Sequence, residues 1–336
     1  MGVFVLLPLL LPLTAVPIAR LAERHLHPRV ATRLLSALAA VLAVCSTVCL
    51  GLLVVVGTVQ LPGHPLPDAW ADREAPTTAP YEEAAGKGAV VALLAVAVSW
   101  STSARRHRRV RRRAEDALAG VPDGELTVLT DEAAYAYALP GVRSGSALRA
   151  WFTGGRPARD GMSVREGKSG GRIVVSTAML ASLDDDERAA LVAHERAHLA
   201  GHHHRYLLLV RFAARANPLL MPLRSAVAYA TERWADEEAA RVTGERRVVA
   251  RAIGKAALVS RGTPTPTLAG FAAPGPVPRR VAALLEPAPS AVRWPPVFTA
   301  VGLAAWAAAA GTLGSALSSA NATLTLFLVL KTAGPL

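Results

Sequence analysis

An α+β fold with helix in the majority, carried by a polytopic membrane protein, is what this sequence predicts, on three observations. Four apolar runs are almost free of charge, at residues 3–19, 34–59, 89–102 and 297–330. Their flanks sort by charge, with basic clusters after the first and third runs and an acidic loop after the second. Between the third and fourth runs lies a body that places short β-branched stretches among longer helical ones. Composition agrees. Hydrophobic residues make up 52% of 336, aromatics only 5%, and mean hydropathy is +0.31, too apolar for a wholly water-soluble chain. Yet 37 Lys+Arg against 25 Asp+Glu leave a formal charge of +12, which requires a substantial soluble part as well.

The first run, 3–19, is interrupted by Pro8, Pro12 and Pro17 without being ended by them. Nothing basic precedes it, while Arg20 and Arg24 follow, which is the reverse of the charge order of a signal peptide. Residues 34–59 exceed the roughly 20 needed to cross a bilayer. Residues 89–102 are short and borrow 84–87, with Lys87 snorkelling to the interface. The last run reads as one crossing, with 323–330 left open. Cys45 and Cys49 are spaced i,i+4 inside the second run and read as packing residues, not as a disulfide or a metal site.

Charge sets orientation. Arg20, Arg24, Arg29 and Arg33 follow the first run, and Arg105, Arg106, Arg108, Arg109 and Arg111 to Arg113 follow the third. The loop between carries Asp68, Asp72, Glu74, Glu82 and Glu83. The positive-inside rule then places the body of the chain in the cytoplasm. The expected domains are a membrane domain over 1–103, a cytoplasmic domain over 104–294 and a C-terminal transmembrane segment over 295–336, in a multi-pass protein of the cell membrane. The arginine cluster has no interleaved aromatic residues and abuts a span, so it reads as an anchor on anionic lipid and not as a nucleic-acid site.

In the body, 125–129 and 172–176 read as strands and 133–139 as a third, stopped by Pro140-Gly141. Residues 144–171, rich in Gly, Ser and Arg, read as a loop. A helix opens at Leu183-Asp184, with Asp185, Asp186 and Glu187 at its positive end. Arg211 and Arg215 read as snorkelling from a helix on the membrane, and Arg279 and Arg280 as part of a short amphipathic helix leading back to it.

That opening helix carries His194-Glu195-Arg196-Ala197-His198, the pattern H-E-x-x-H. Two imidazoles at i and i+4 on one helical face can grip one Zn²⁺, and the glutamate beside the first reaches a water at the metal. The apolar Ala190-Leu191-Val192-Ala193 before it implies that these polar groups are buried and need a partner. Further on, Glu232 and Asp236 are again i,i+4, so that one can bind zinc while the other braces a ligand. Asn217-Pro218 breaks the helix between, allowing two helices to fold around one metal.

With these residues in place, the sequence resembles the membrane-embedded gluzincin zinc metallopeptidases. Those include the CAAX prenyl proteases, the heat-shock membrane proteases and the peptidase domain of β-lactam sensor-transducers. The stretches that carry the resemblance are 173–176, 183–187, 194–198 and 232–236. It implies a zincin-like peptidase domain with His194, His198 and Glu232 as zinc ligands and Glu195 as general base. Asp236 would brace the ligands, and so would His203, at a position where relatives often carry His or Asp. It also implies an edge strand that holds a protein or peptide substrate, which here falls on 172–176. The layout of spans resembles the sensor-transducer branch best. No penicillin-binding domain follows the last span, so direct β-lactam sensing is not expected. The implied activity is endoproteolysis of membrane-proximal or cytoplasmic proteins, with a regulatory, repressor-cleaving role as its narrower form. A catalytically inactive, metal-binding membrane scaffold is the alternative.

Overall fold

A computed structural model describes residues 8–58, 80–122, 124–141, 171–260, 276–289 and 298–333. The chain is mostly helical, with a small sheet. Its contacts divide it into two compact units, one of Met1–His107, Leu208–Val227 and Ala291–Leu336, the other of Arg108–Leu207 and Ala228–Ser290.

The first unit is helical. A 3-10 turn over Leu11–Thr14 leads into α1 (Ala15–His25), followed by α2 (Pro28–Thr58) and α3 (Pro80–Ala117), whose residues from Arg108 on belong to the second unit. Pro12 falls at the start of the 3-10 turn, where a missing N–H costs nothing. The C-terminal apolar run forms one continuous helix over Ala300–Ala333. Two stretches, Pro28–Val55 and Gly86–Ala117, are long and apolar enough to cross a membrane. Residues 3–7 and the acidic loop at 68–74 lie outside the described residues, as does nearly all of 144–171. In this unit Asn217 fastens three segments: its Nδ2 donates to Ser46 Oγ at 3.1 Å and to the Leu9 carbonyl at 3.4 Å. Ser46 Oγ in turn donates to the Pro8 carbonyl at 2.8 Å.

The second unit is built on a three-stranded sheet of β1 (Leu126–Leu129), β2 (Ala136–Leu139) and β3 (Arg172–Ser176), in the order β1-β3-β2. β1 runs parallel to β3 and β2 antiparallel to it. β3 is therefore the central strand, hydrogen-bonded on both sides, and all but its first residue are buried. The expected substrate-holding edge at 172–176 is thus corrected: a central strand has no free backbone groups to offer. One face of the sheet packs Tyr135, Tyr137, Leu139 and Val174 on Ala114 and Leu118, the other packs Ile173 and Val175 on Met179, Leu183, Leu191 and Leu199. Ser176 closes β3 and caps the short α4 (Thr177–Ala181), its Oγ accepting from the backbone of Met179 and of Tyr135.

The motif helix, α5 (Asp185–Ala200), begins with a complete capping box. The Asp184 side chain accepts from Glu187 N at 2.9 Å and Glu187 accepts from Asp184 N at 3.1 Å. Glu187, buried, also takes Lys255 Nζ at 2.6 Å, tying α5 to α8 (Arg246–Val259). After α5 come α6 (His203–Ala216), a 3-10 turn at Pro218–Leu220 and α7 (Met221–Thr243). Asn217 caps that turn, so the break falls where Asn-Pro predicts it. α9 (Val277–Leu285) returns to the same core, where Ala190, Ala193, Ala239, Ala240, Val248, Val249, Ala252 and Leu284 form one buried cluster.

Candidate metal centre

The i,i+4 spacing sets His194 and His198 on one face of α5, with ring centroids 4.8 Å apart and Nε2 atoms 3.1 Å apart. α7 brings Glu232 against them. Glu232 Oε1 lies 3.5 Å from His198 Nε2, and Oε2 lies 3.6 Å from His194 Nε2. One ligand atom from each of His194, His198 and Glu232 falls within 4.8 Å of the others, so this cluster can hold a metal ion. One turn beyond Glu232, Asp236 Oδ1 stands 3.1 Å from His194 Nδ1, an ion-pair distance short of a well-aligned hydrogen bond.

His203 reaches the site from the start of α6. Its ring is fully buried between His198, with Nδ1 to Nδ1 at 2.9 Å, and Trp234, at a centroid distance of 4.4 Å. The connection makes that possible. α5 stops at Gly201, His202 turns the chain with φ 51°, and α6 starts at once. Glu195 points towards the sheet, where its carboxylate accepts the backbone N–H of Ala138 in β2.

The arrangement is strongly polarised. Burial lowers His194, but pairing with Asp236 and Glu232 outweighs it and lifts the ring to about 10. At His198 burial dominates and holds the ring neutral, down at about 4. Burial, with His198 beside it, pushes His203 down to about 2. Burial pushes the Glu195 carboxyl up to about 6, against the pull of His194. Burial would raise Glu232 too, yet Arg280 and the two histidines hold it well below the usual carboxylate range. Asp236 is likewise held low by Arg280 and His194.

Arg280 is the residue that the sequence pattern does not reveal. Read as part of an amphipathic helix leading to a membrane, it is instead buried among these groups. Its Nη1 lies 2.9 Å from Glu232 Oε2, and its Nε and Nη2 donate to Asp236 Oδ2 at 2.8 Å and Oδ1 at 2.6 Å. A buried Arg among carboxylates carries no local sequence signal; only its neighbour-by-neighbour pairing in the fold identifies it.

Two imidazoles and a carboxylate gathered from two helices, with a further carboxylate beside the first imidazole, form a cluster that could hold a metal ion. Residues 165–217 match the model of peptidase family M48, a stretch that takes in β3, α5 and α6 with His194, Glu195, His198 and His203. Over those residues the chain is similar to that family of metallopeptidases. No curated protein and no solved structure matches it.

Proposed function

We propose that this chain is a membrane-bound zinc endopeptidase in which His194, His198 and Glu232 hold the metal and Glu195 is the general base. The observation that carries the reading is the convergence of these three donors in one cluster that could hold a metal ion. Their chemistry and spacing fit zinc. Two nitrogens and one oxygen leave a fourth position open, as catalytic zinc sites do, and tetrahedral bonds of about 2.0–2.1 Å separate adjacent donors by about 3.3–3.4 Å. Here the two Nε2 atoms are 3.1 Å apart, His198 Nε2 is 3.5 Å from Glu232 Oε1 and His194 Nε2 is 3.6 Å from Oε2, and one ligand atom from each residue lies within 4.8 Å of the others. Glu232 Oε1, moreover, is buried with no hydrogen-bond partner among the described residues. Such an atom costs stability unless a ligand satisfies it.

When bound, zinc polarises the scissile carbonyl and acidifies the attacking water. The protein supplies the rest. Glu195 accepts the proton of that water and returns it to the leaving nitrogen. Asp236 holds His194 by Nδ1 and His203 holds His198 by Nδ1, which turns both Nε2 atoms to the same point.

Substrate docking falls to β2. The Ser176 N–H donates to the Tyr135 carbonyl, so Tyr135, Tyr137 and Leu139 face β3, while the backbone groups of Ala136 and the Ala138 carbonyl face outward beside the Ala138 N–H that Glu195 takes. Among the described residues no strand covers that side. A peptide laid along it gains main-chain hydrogen bonds next to Glu195. The substrate class is membrane-proximal or cytoplasmic protein, and repressor cleavage is the narrower form of the reading. The two apolar helices and the flanking arginines support a multi-pass protein with its peptidase domain, 104–294, on the cytoplasmic side and its basic clusters against anionic lipid.

Metal analysis of the detergent-purified protein tests the reading. About one zinc per chain is expected, abolished in His194→Ala, His198→Ala and Glu232→Ala. Full occupancy in Glu232→Ala would move the third ligand elsewhere. A reporter inserted within 144–170, active only in the cytoplasm, should be active; silence there would put the peptidase outside.

A further inference from the structure

Glu232 offers two oxygens, and the site treats them differently. Oε2 receives Arg280 Nη1 at 2.9 Å, while Oε1 is buried without a hydrogen-bond partner among the described residues. The other edge of the same guanidinium is spent on both oxygens of Asp236, the residue that faces His194 Nδ1. We propose that Arg280 is the positioning residue of the metal centre. By clamping Oε2 it presents Oε1 to the metal, and by fixing Asp236 it keeps His194 with Nε2 turned inward. The inference rests on the zinc site proposed above and adds a residue to it.

The geometry favours arginine specifically. Three donors in one rigid plane meet carboxylates from two residues on successive turns of α7, which a single ammonium cannot do. Charge points the same way. Glu195, Glu232 and Asp236 place three carboxylates in one buried space; one guanidinium and a dication balance them, whereas a dication alone does not.

Arg280 is itself held in place by α9. Leu284, one turn further on, is 1% exposed in the core shared by α5, α7 and α8. Arg246 of α8 donates to the carbonyls of Ala283 at 2.9 Å and Leu284 at 3.1 Å and pairs with Glu237 of α7. Arg279 lies over the Tyr229 ring at 4.4 Å. Four contacts besides its own therefore fix the helix that delivers the guanidinium, and they involve the same α7 that carries Glu232.

The test is zinc affinity by chelator competition on the detergent-purified full chain, with the visible spectrum of the Co²⁺-loaded protein as a report on ligand arrangement. Arg280→Met keeps bulk and removes the clamp; zinc binding should be about 10- to 100-fold weaker, with an altered Co²⁺ spectrum. Arg280→Lys restores the charge but not the fork and should recover only part of the loss. Should Arg280→Met fail to fold, Arg280→Lys alone decides, with an affinity loss of several-fold expected. Wild-type affinity and spectrum in either folded variant would overturn the proposal, and so would failure of both to fold, which would make Arg280 structural. A wild-type protein that takes up no zinc would instead overturn the zinc site itself, and this inference with it.

Discussion

Alanine at Gly201 puts one methyl group where His203 already sits. Gly201 itself has φ −77° and ψ −7°, a conformation that alanine adopts without strain. The obstacle is the ring: an added Cβ falls 2.6 Å from His203 Cδ2 and closer still to Nε2. The ring has no room to retreat, being fully buried with Trp234 on one side and His198 Nδ1 at 2.9 Å. Overpacking of this kind costs about 1–3 kcal/mol. If the ring yields instead, His198 loses its outer partner, and metal affinity should fall about 10- to 100-fold. Thermal unfolding and zinc titration of Gly201→Ala, His203→Ala and the double variant separate these effects. Because the severest clash is with the imidazole, Gly201→Ala should cost clearly less once His203 is alanine, with only the 3.0 Å approach to the Ala197 carbonyl oxygen remaining. A coupling of about 1–2 kcal/mol is expected, well above the roughly 0.5 kcal/mol within which independent sites add. Equal destabilisation by Gly201→Ala in both backgrounds would refute the argument that the glycine exists to admit the ring.

Other outcomes follow from single contacts. Leu284→Ala opens a cavity in the core that anchors α9 and should cost about 2–4 kcal/mol in chemical denaturation, with weaker zinc binding alongside through a loosened Arg280. Glu187→Ala removes half of the capping box and the Lys255 partner at 2.6 Å, and should lower stability by about 2 kcal/mol while leaving zinc stoichiometry intact. Ala136→Pro deletes one outward N–H of β2 without touching the ladder to β3; KM for a peptide substrate should rise about tenfold with kcat little changed. Asn217→Leu cuts the bonds to Ser46 and Leu9 and should lower the melting temperature slightly in detergent, at a cost of about 1 kcal/mol.

Much of the fold is legible because its signals are local. The capping box at Asp184 and Glu187 starts α5 at the residue where the sequence opens it, and Asn217-Pro218 ends α6 where a proline forbids helix. The β-branched run at 172–176 forms a strand for the reason expected, burial of its Ile and Val side chains. Its place in the sheet is another matter. The order β1-β3-β2 differs from chain order, and a short buried run looks the same whether one neighbour pairs with it or two. The candidate site divides along the same line. His194 and His198 share a face by helical period, whereas the approach of Glu232 needs the turn at Pro218–Leu220 and the packing of α7. Arg280 could not be read at all: Arg279 and Arg280 are adjacent and identical, and only the docking of α9 sends one over the Tyr229 ring and the other among the carboxylates.

The central claim is that Glu195 does the chemistry while its neighbours hold the metal, and the Glu195→Gln variant tests it most directly. Glutamine keeps the size of the side chain and a carbonyl oxygen to accept the Ala138 N–H, but it cannot take a proton. Zinc content and peptide cleavage should be measured together on wild type, Glu195→Gln and His194→Ala. Glu195→Gln should retain about one zinc per chain while cleavage falls by roughly 10²-fold or more. His194→Ala should lose both together. Cleavage at the wild-type rate by Glu195→Gln would contradict the mechanism, and loss of zinc from it would make Glu195 part of the metal site instead of its base.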